Sequence, residues 1–160
     1  PRLYGVQSSG SDWMVQAWEE GLATPAELQQ KPPIKANTVA DSISAGLPRD
    51  RMKAMDAVRQ TGGAYIRVDD EAILAAIPAL ARGAAVFAEP AGAAAYAGLV
   101  EAVDQGLVGA GERIVVLNTG NGLKDIQSAM KAVDLVQTQP HHVEPSLEDL
   151  KRVMAGEVIV

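Results

Sequence analysis

Thr119, Gly120, Asn121 and Gly122 stand in a row directly behind the apolar run Ile114-Val115-Val116-Leu117-Asn118. Two glycines at the end of an apolar run let the backbone approach a ligand closely, and the flanking hydroxyl and carboxamide offer it polar partners. The same residues also suit a plain turn, because Asn-Gly is a frequent turn dipeptide, so composition leaves both readings open. Glu89 before Pro90 sets a carboxylate at a helix start, where it serves either the helix dipole or a pocket. Asp41-Ser42, in a stretch of small residues, either faces a cavity or bonds its own backbone. His141-His142 does not read as a metal site: adjacent histidines do not share a helix face, and no third ligand is spaced nearby. There is no Ser/His/Asp set, Walker loop or dinucleotide fingerprint, and no metal is expected.

These residues need elements to position them. Leu3 to Gln7 reads as a strand, and Ser8-Ser9-Gly10-Ser11 as a turn and N-cap cluster for a helix over Asp12–Glu20. In that helix Trp13, Met14, Ala17 and Trp18 share a face, and Gly21 is the stop. Thr24-Pro25-Ala26-Glu27 has the form of a capping box, and the polar stretch up to Pro33 that follows it reads as a surface excursion. Thr38 to Gly46 is a loop or one short helix. Pro48 is expected to open a helix through Met52, Met55 and Val58, closed by Gly62-Gly63 before a strand over Ala64–Val68. Asp69 should cap the next helix, whose stripe is Ile73, Leu74, Ile77 and Leu80 and which Pro78 should bend or end. A helix of very small residues runs from Ala91 to Val103 and stops at Gly106.

Ile114 to Asn118, a continuous apolar run, predicts a strand covered on both faces. Lys124 to Leu135 reads as helix, Thr138 to Pro145 as a polar break, and Ser146 to Met154 as a last amphipathic turn or two. Strands alternating with helices imply right-handed crossovers and a parallel sheet, an α/β fold. Ligands in such sheets sit beyond the carboxyl ends of the strands, which puts Ser8–Ser11, Asp69 and Thr119–Gly122 on the ligand side.

Bulk composition narrows the function classes. With 160 residues, 48% of them hydrophobic and 21% charged, the chain has the makings of one ordinary globular core. A net charge of −6 and a pI near 4.9, with no basic cluster, argue against nucleic acid. The absence of cysteine removes disulfides and thiolate chemistry and fits a reducing compartment, so a cytoplasmic location is expected. The longest apolar run, Ala91 to Val100, is too short for a bilayer, and no signal-peptide pattern is present. The sequence starts at Pro1, without Met, in residues that already read as strand; a trimmed piece of a longer protein is expected.

Taken together, several segments resemble the threonine synthase family, pyridoxal phosphate enzymes of fold type II. They are Leu3-Tyr4-Gly5-Val6-Gln7 with its Ser-rich turn, Thr38-Val39-Ala40-Asp41-Ser42-Ile43 leading to Gly46-Leu47-Pro48-Arg49, Phe87-Ala88-Glu89-Pro90-Ala91, and Thr119-Gly120-Asn121-Gly122-Leu123-Lys124-Asp125. The resemblance runs from Pro1 to about residue 130. It implies a three-layer α/β fold with a mostly parallel sheet, part of the large domain of such an enzyme. Residues 1–130 would be the C-terminal part of the cofactor-binding domain and 131–160 a C-terminal helical tail.

The resemblance also implies pyridoxal 5'-phosphate as cofactor and conversion of O-phosphohomoserine and water to L-threonine and phosphate. Thr119 would bond the pyridine nitrogen, Gly120 and Gly122 would keep the loop close to the ring, and Asn121 stands where the family usually has His. Glu89 would line the pocket, and Ala40 to Ser42 would lie beside the cofactor's face. The family's Schiff-base lysine, the Asn at the phenolic oxygen and the Gly-rich phosphate loop all come from upstream of Pro1, so no catalytic residue is assigned in this chain and inactivity of the chain alone is expected. Lys124, in a Lys-Asp pair that looks structural in the family, is not taken as a substitute. The expected partners are a small amino-acid phosphate substrate and further copies of the chain in a homo-oligomer, with neither nucleic acid nor membrane. Related alternatives are a threonine dehydratase, a cysteate synthase, a diaminopropionate lyase, or a binding or regulatory module that kept the fold and lost the chemistry.

Overall fold

The strands form where β-branched and aromatic residues alternate with residues that serve the opposite face. The computed structural model describes residues 1–136 and 141–155 and pairs β1 (Tyr4–Ser8) in parallel with β2 (Ala64–Val68). Tyr4 lies opposite Ala64, Val6 opposite Ile66 and Ser8 opposite Val68. On one face Val6, Ile66 and Val68 pack with α4 (Asp70–Ala84) and α5 (Pro90–Asp104). On the other, Gln7, Tyr65 and Arg67 meet α1 (Trp13–Glu19), while α3 (Arg51–Gln60) completes that layer with Met55. The result is the three-layer α/β arrangement expected from the sequence, with a small parallel sheet.

The layer with α1 is built around Trp13, which is 0% exposed and donates its indole N–H to the Pro32 carbonyl at 2.9 Å. Arg67 reaches from β2 to Asp12 at 2.8 Å and to Glu19 at 2.8 and 2.9 Å, closing the outer edge of this layer. The capping box is present: α2 (Pro25–Gln30) has Thr24 and Glu27 bonded reciprocally. In the opposite layer the small residues of α5 allow close approach to the sheet, as expected. A Cβ on Gly98 would lie 2.2 Å from Cγ2 of Val6. Asp69 caps α4 by accepting the Ala72 N–H, and Gly62, at φ 67°, turns the chain into β2.

The structure departs from the sequence reading in five places. Ile114–Asn118 is not a strand: the described residues contain a sheet of two strands, and Ile114, Val115 and Leu117 are 47%, 84% and 71% exposed. Among the described residues the run has no ladder partner, and without one its apolar side chains stay largely uncovered, Val116 being half-buried. The serines after β1 do not cap α1. Its N-cap is Asp12 without a side-chain cap bond, and Gln7 reaches across from β1 to accept the N–H groups of Met14 and Val15 at 2.7 and 3.1 Å. Pro48 precedes α3 without opening it; the helix starts at Arg51 behind Asp50.

Of the two outcomes expected at Pro78, a bend or an end, the end does not occur: α4 continues to Ala84 and stops at Ala85 in the left-handed region, φ 54°. Ile77, Pro78 and Leu80 are buried, and this burial holds the helix through the missing N–H. The helix after Lys124 begins later, as α6 (Ile126–Leu135), behind a 3-10 turn at Gly122–Lys124. Of the polar break, 141–144 has no helix or strand, and 137–140 lies outside the described residues. The amphipathic end is α7 (Leu147–Met154), capped by Ser146.

Candidate functional site

Three segments distant in sequence converge on a cleft of about 200 Å³. Asp41 and Ser42 come from a 3-10 turn at Asp41–Ile43, Glu89 and Ala91 from the head of α5, and Lys124 and Asp125 from the turn before α6. Glu89 is 6% exposed. Its carboxylate accepts from Lys124 Nζ at 2.9 Å, and the same ammonium donates to Ser42 Oγ at 3.4 Å, so one lysine ties all three walls together. A buried carboxylate left without its cation would be strongly destabilising, so this pair fixes the relative placement of the walls.

The Thr119–Gly122 turn is seated on the head of α5. Glu89 N–H donates to Gly120 O at 3.0 Å, Gly122 N–H donates to Phe87 O at 2.9 Å, and Ala88 and Asn121 form an antiparallel bridge. The seat requires glycine: a Cβ on Gly120 would lie 1.8 Å from Glu89 Oε1. Asn121 serves its own turn, its Oδ1 accepting the Leu123 N–H at 2.9 Å. Thr119 is exposed beside this seat and does not line the cleft. Ala40 is fully buried just before the 3-10 turn. The structure thus brings Glu89, Gly120, Ser42 and Lys124 together, with Ala40 behind them and Thr119 at the margin. Asp125 does not pair with Lys124. It caps α6 by accepting the Ser128 N–H at 3.0 Å, and hydrogen bonds from the Ser128 side chain and backbone hold its carboxyl below the ordinary aspartate value.

A second cluster lies at the carboxyl ends of the two strands and was not legible as a group in the sequence. Asp70, in the first turn of α4, accepts from Ser8 Oγ at 2.9 Å, from Thr38 Oγ1, and from the Val39 N–H at 2.9 Å. Burial pushes its carboxyl up, but the bonds from Thr38, Val39 and Ser8 together outweigh burial and hold it below the ordinary value. The serine turn is stitched to the same loop. Asn37 N–H donates to Gly10 O at 2.7 Å, and Ser11 Oγ accepts the Ala45 N–H at 2.9 Å. Asp69, expected on the ligand side, spends its carboxylate on the α4 cap.

The Ser42 hydroxyl and the Lys124 ammonium in the cleft, with the Thr119 hydroxyl at its margin and a glycine strap seated on Glu89, fit one side of a heteroaromatic phosphate such as pyridoxal phosphate. Among the described residues, the lysine at this cleft is Lys124, and it is engaged by Glu89.

Threonine synthase of Methanosarcina acetivorans is 36% identical over 157 residues, covering 98% of this chain and 36% of that protein. Threonine synthase of Mycobacterium tuberculosis is 38% identical over 145 residues, covering 91% of this chain and 36% of that protein. The chain therefore spans little more than a third of the length of these relatives. Among solved structures, the processed form of threonine deaminase isoform 2 from Solanum lycopersicum shares the fold, with a TM-score of 0.66 and 21% identity over 84% of this chain and 36% of that one. Residues 1–120 match the family described as pyridoxal-phosphate dependent enzyme, and the chain belongs to that family.

Proposed function

We propose that this chain forms the cofactor-facing wall and C-terminal part of a threonine synthase, which converts O-phosphohomoserine and water to L-threonine and phosphate. The observation that carries the reading is the Thr119–Gly122 turn seated on Glu89 at the head of α5, within a chain that resembles threonine synthases along nearly its whole length. Pyridoxal phosphate, when bound, supplies an electron sink for the bonds broken next to the substrate's amino group.

In this reading Thr119 offers its hydroxyl to the ring nitrogen. A hydroxyl, unlike a carboxylate, does not force a proton onto that nitrogen, so the chain tunes the ring as a milder sink. Gly120 lets the strap approach the ring face, Glu89 anchors the strap, and Lys124 holds Glu89 to the Ser42 wall. Ala40 closes the bottom of that wall. The lysine that carries the cofactor, its phosphate loop and most groups that grip the substrate phosphate belong, in this proposal, to the remaining length of the protein, and the chain alone is inactive. The exposed Ile114–Leu117 strip is covered there by other strands or by a second copy in a homo-oligomer. A cytoplasmic location goes with this reading; no helix among the described residues is long and apolar enough to cross a membrane.

The test is Thr119→Val in the full-length protein. The unsubstituted protein is expected to release phosphate from O-phosphohomoserine, and the variant to lose roughly 2- to 10-fold in cofactor affinity or turnover while staying folded, the loss of one hydrogen bond. Wild-type kinetics with unchanged cofactor affinity would remove Thr119 from its role. Deamination of threonine without phosphate release from the ester would move the protein to the dehydratase reading.

A further inference from the structure

Asp70 lies outside the cleft, yet the loop that forms one wall of it hangs from this carboxylate. Ser8 Oγ and Thr38 Oγ1 donate to its Oδ1, and the Val39 N–H donates to its Oδ2. Both hydroxyls already accept a backbone N–H, Ser8 from Gly10 at 3.2 Å and Thr38 from Ala40 at 3.1 Å. Each hydroxyl has one proton to give, so the polarity of the network runs from backbone N–H through hydroxyl to carboxylate. An asparagine cannot take this place without loss: with its amide nitrogen toward Val39, donor faces donor, and in the flipped orientation the two hydroxyl protons lose their acceptor.

The carboxylate sits on the first turn of α4, and α4 packs along α5, whose head carries Glu89. Val39 and Ala40 lead directly into Asp41 and Ser42 at the cleft. The two walls are therefore referred to one rigid helix pair, one through Glu89 and the other through Asp70.

We infer that Asp70 is a positioning residue for the cofactor: through Thr38 and Val39 it sets where the Ala40–Ser42 wall stands relative to Glu89. The inference rests on the cofactor reading given above. The experiment compares Asp70→Asn, Thr38→Val and Thr38→Ser in the full-length protein, titrating pyridoxal phosphate by absorbance and following thermal unfolding alongside.

Asp70→Asn and Thr38→Val are expected to weaken cofactor binding about tenfold each, because the Ala40–Ser42 wall loses the tether that sets its place, while Thr38→Ser stays close to the unsubstituted protein. If Asp70→Asn does not fold, the Thr38 pair decides alone. Equal cofactor affinity for Thr38→Val and Thr38→Ser, even with a lowered melting temperature, would show a merely structural role and overturn the inference. Failure of the unsubstituted protein to take up pyridoxal phosphate would overturn the functional reading, and this inference with it.

Discussion

Ala64-Tyr65-Ile66-Arg67-Val68 and Ile114-Val115-Val116-Leu117-Asn118 look alike as β runs, and by propensity the second is the better one. The first is β2, hydrogen-bonded to β1 and covered by helices on both faces. The second lies outside the sheet and largely faces water, with Val115 84% exposed. The difference is not in the residues but in what stands beside them. β2 inherits a partner because the crossover from β1 through α1 and α3 returns the chain parallel to its start. Ile114–Asn118 follows α5, and among the described residues no further strand accepts it, so its apolar side chains are left largely exposed, the face proposed above to be covered in the full-length protein. The residues that follow it are held all the same, because the strap at Gly120 and Gly122 is bonded to the head of α5.

The sharpest way to break this contrast is in β2. Ile66, 2% exposed and opposite Val6, faces the α4–α5 layer. Ile66→Ala is expected to cost the 160-residue chain about 2–5 kcal/mol in urea unfolding. A loss below about 1 kcal/mol would mean that the two-stranded sheet is no better packed than the exposed run.

A smaller effect is expected where α5 lies on β1. A methyl at Gly98 would meet Cγ2 and Cβ of Val6 at 2.2 and 3.0 Å, and a β-branched side chain on a strand has little room to yield. Gly98→Ala should destabilise by about 1–3 kcal/mol, the range for overpacking, despite alanine's better helix propensity. A stabilised variant would show that α5 does not press on the sheet.

The smallest effect sharpens the other half of the comparison. Val115→Ala should change the stability of the 160-residue chain by no more than about 0.5 kcal/mol, as at other exposed sites. In the full-length protein, where the strip is proposed to be covered, the same change should cost about 1.5 kcal/mol, the transfer value of two buried methylene-sized groups. Equal, small effects in both would mean that the face stays open.

Much of the local structure was legible because it depends on neighbours in sequence. The Thr24–Glu27 box, the Asp69 cap, β2 between Gly63 and Asp69, and α5 from Pro90 to its stop at Gly106 follow from caps, prolines, glycines and periodicity within a few residues. The misreadings share the opposite cause. Gln7 caps α1 from another element, Pro78 does not end its buried helix, and Ile114–Asn118 lacks a partner that no local pattern reports. In the site, the motif residues Glu89, Gly120 and Ser42 were legible by resemblance, and their juxtaposition was not.

By itself, then, the sequence determined most of the elements and several of their caps, the small-residue face of α5 and the motif that ties the chain to its family, because each of these is encoded by residues within one or two turns of one another. Tertiary structure alone decided that Lys124 pairs with Glu89, 35 positions away, and that Asp70 gathers Thr38 and Ser8 from 32 and 62 positions away. It also decided that the most strand-like run stays outside the sheet. Such bonds and pairings depend on which backbone segments meet, and a hydroxyl, an ammonium or an apolar run carries no local signal of the partner it will find.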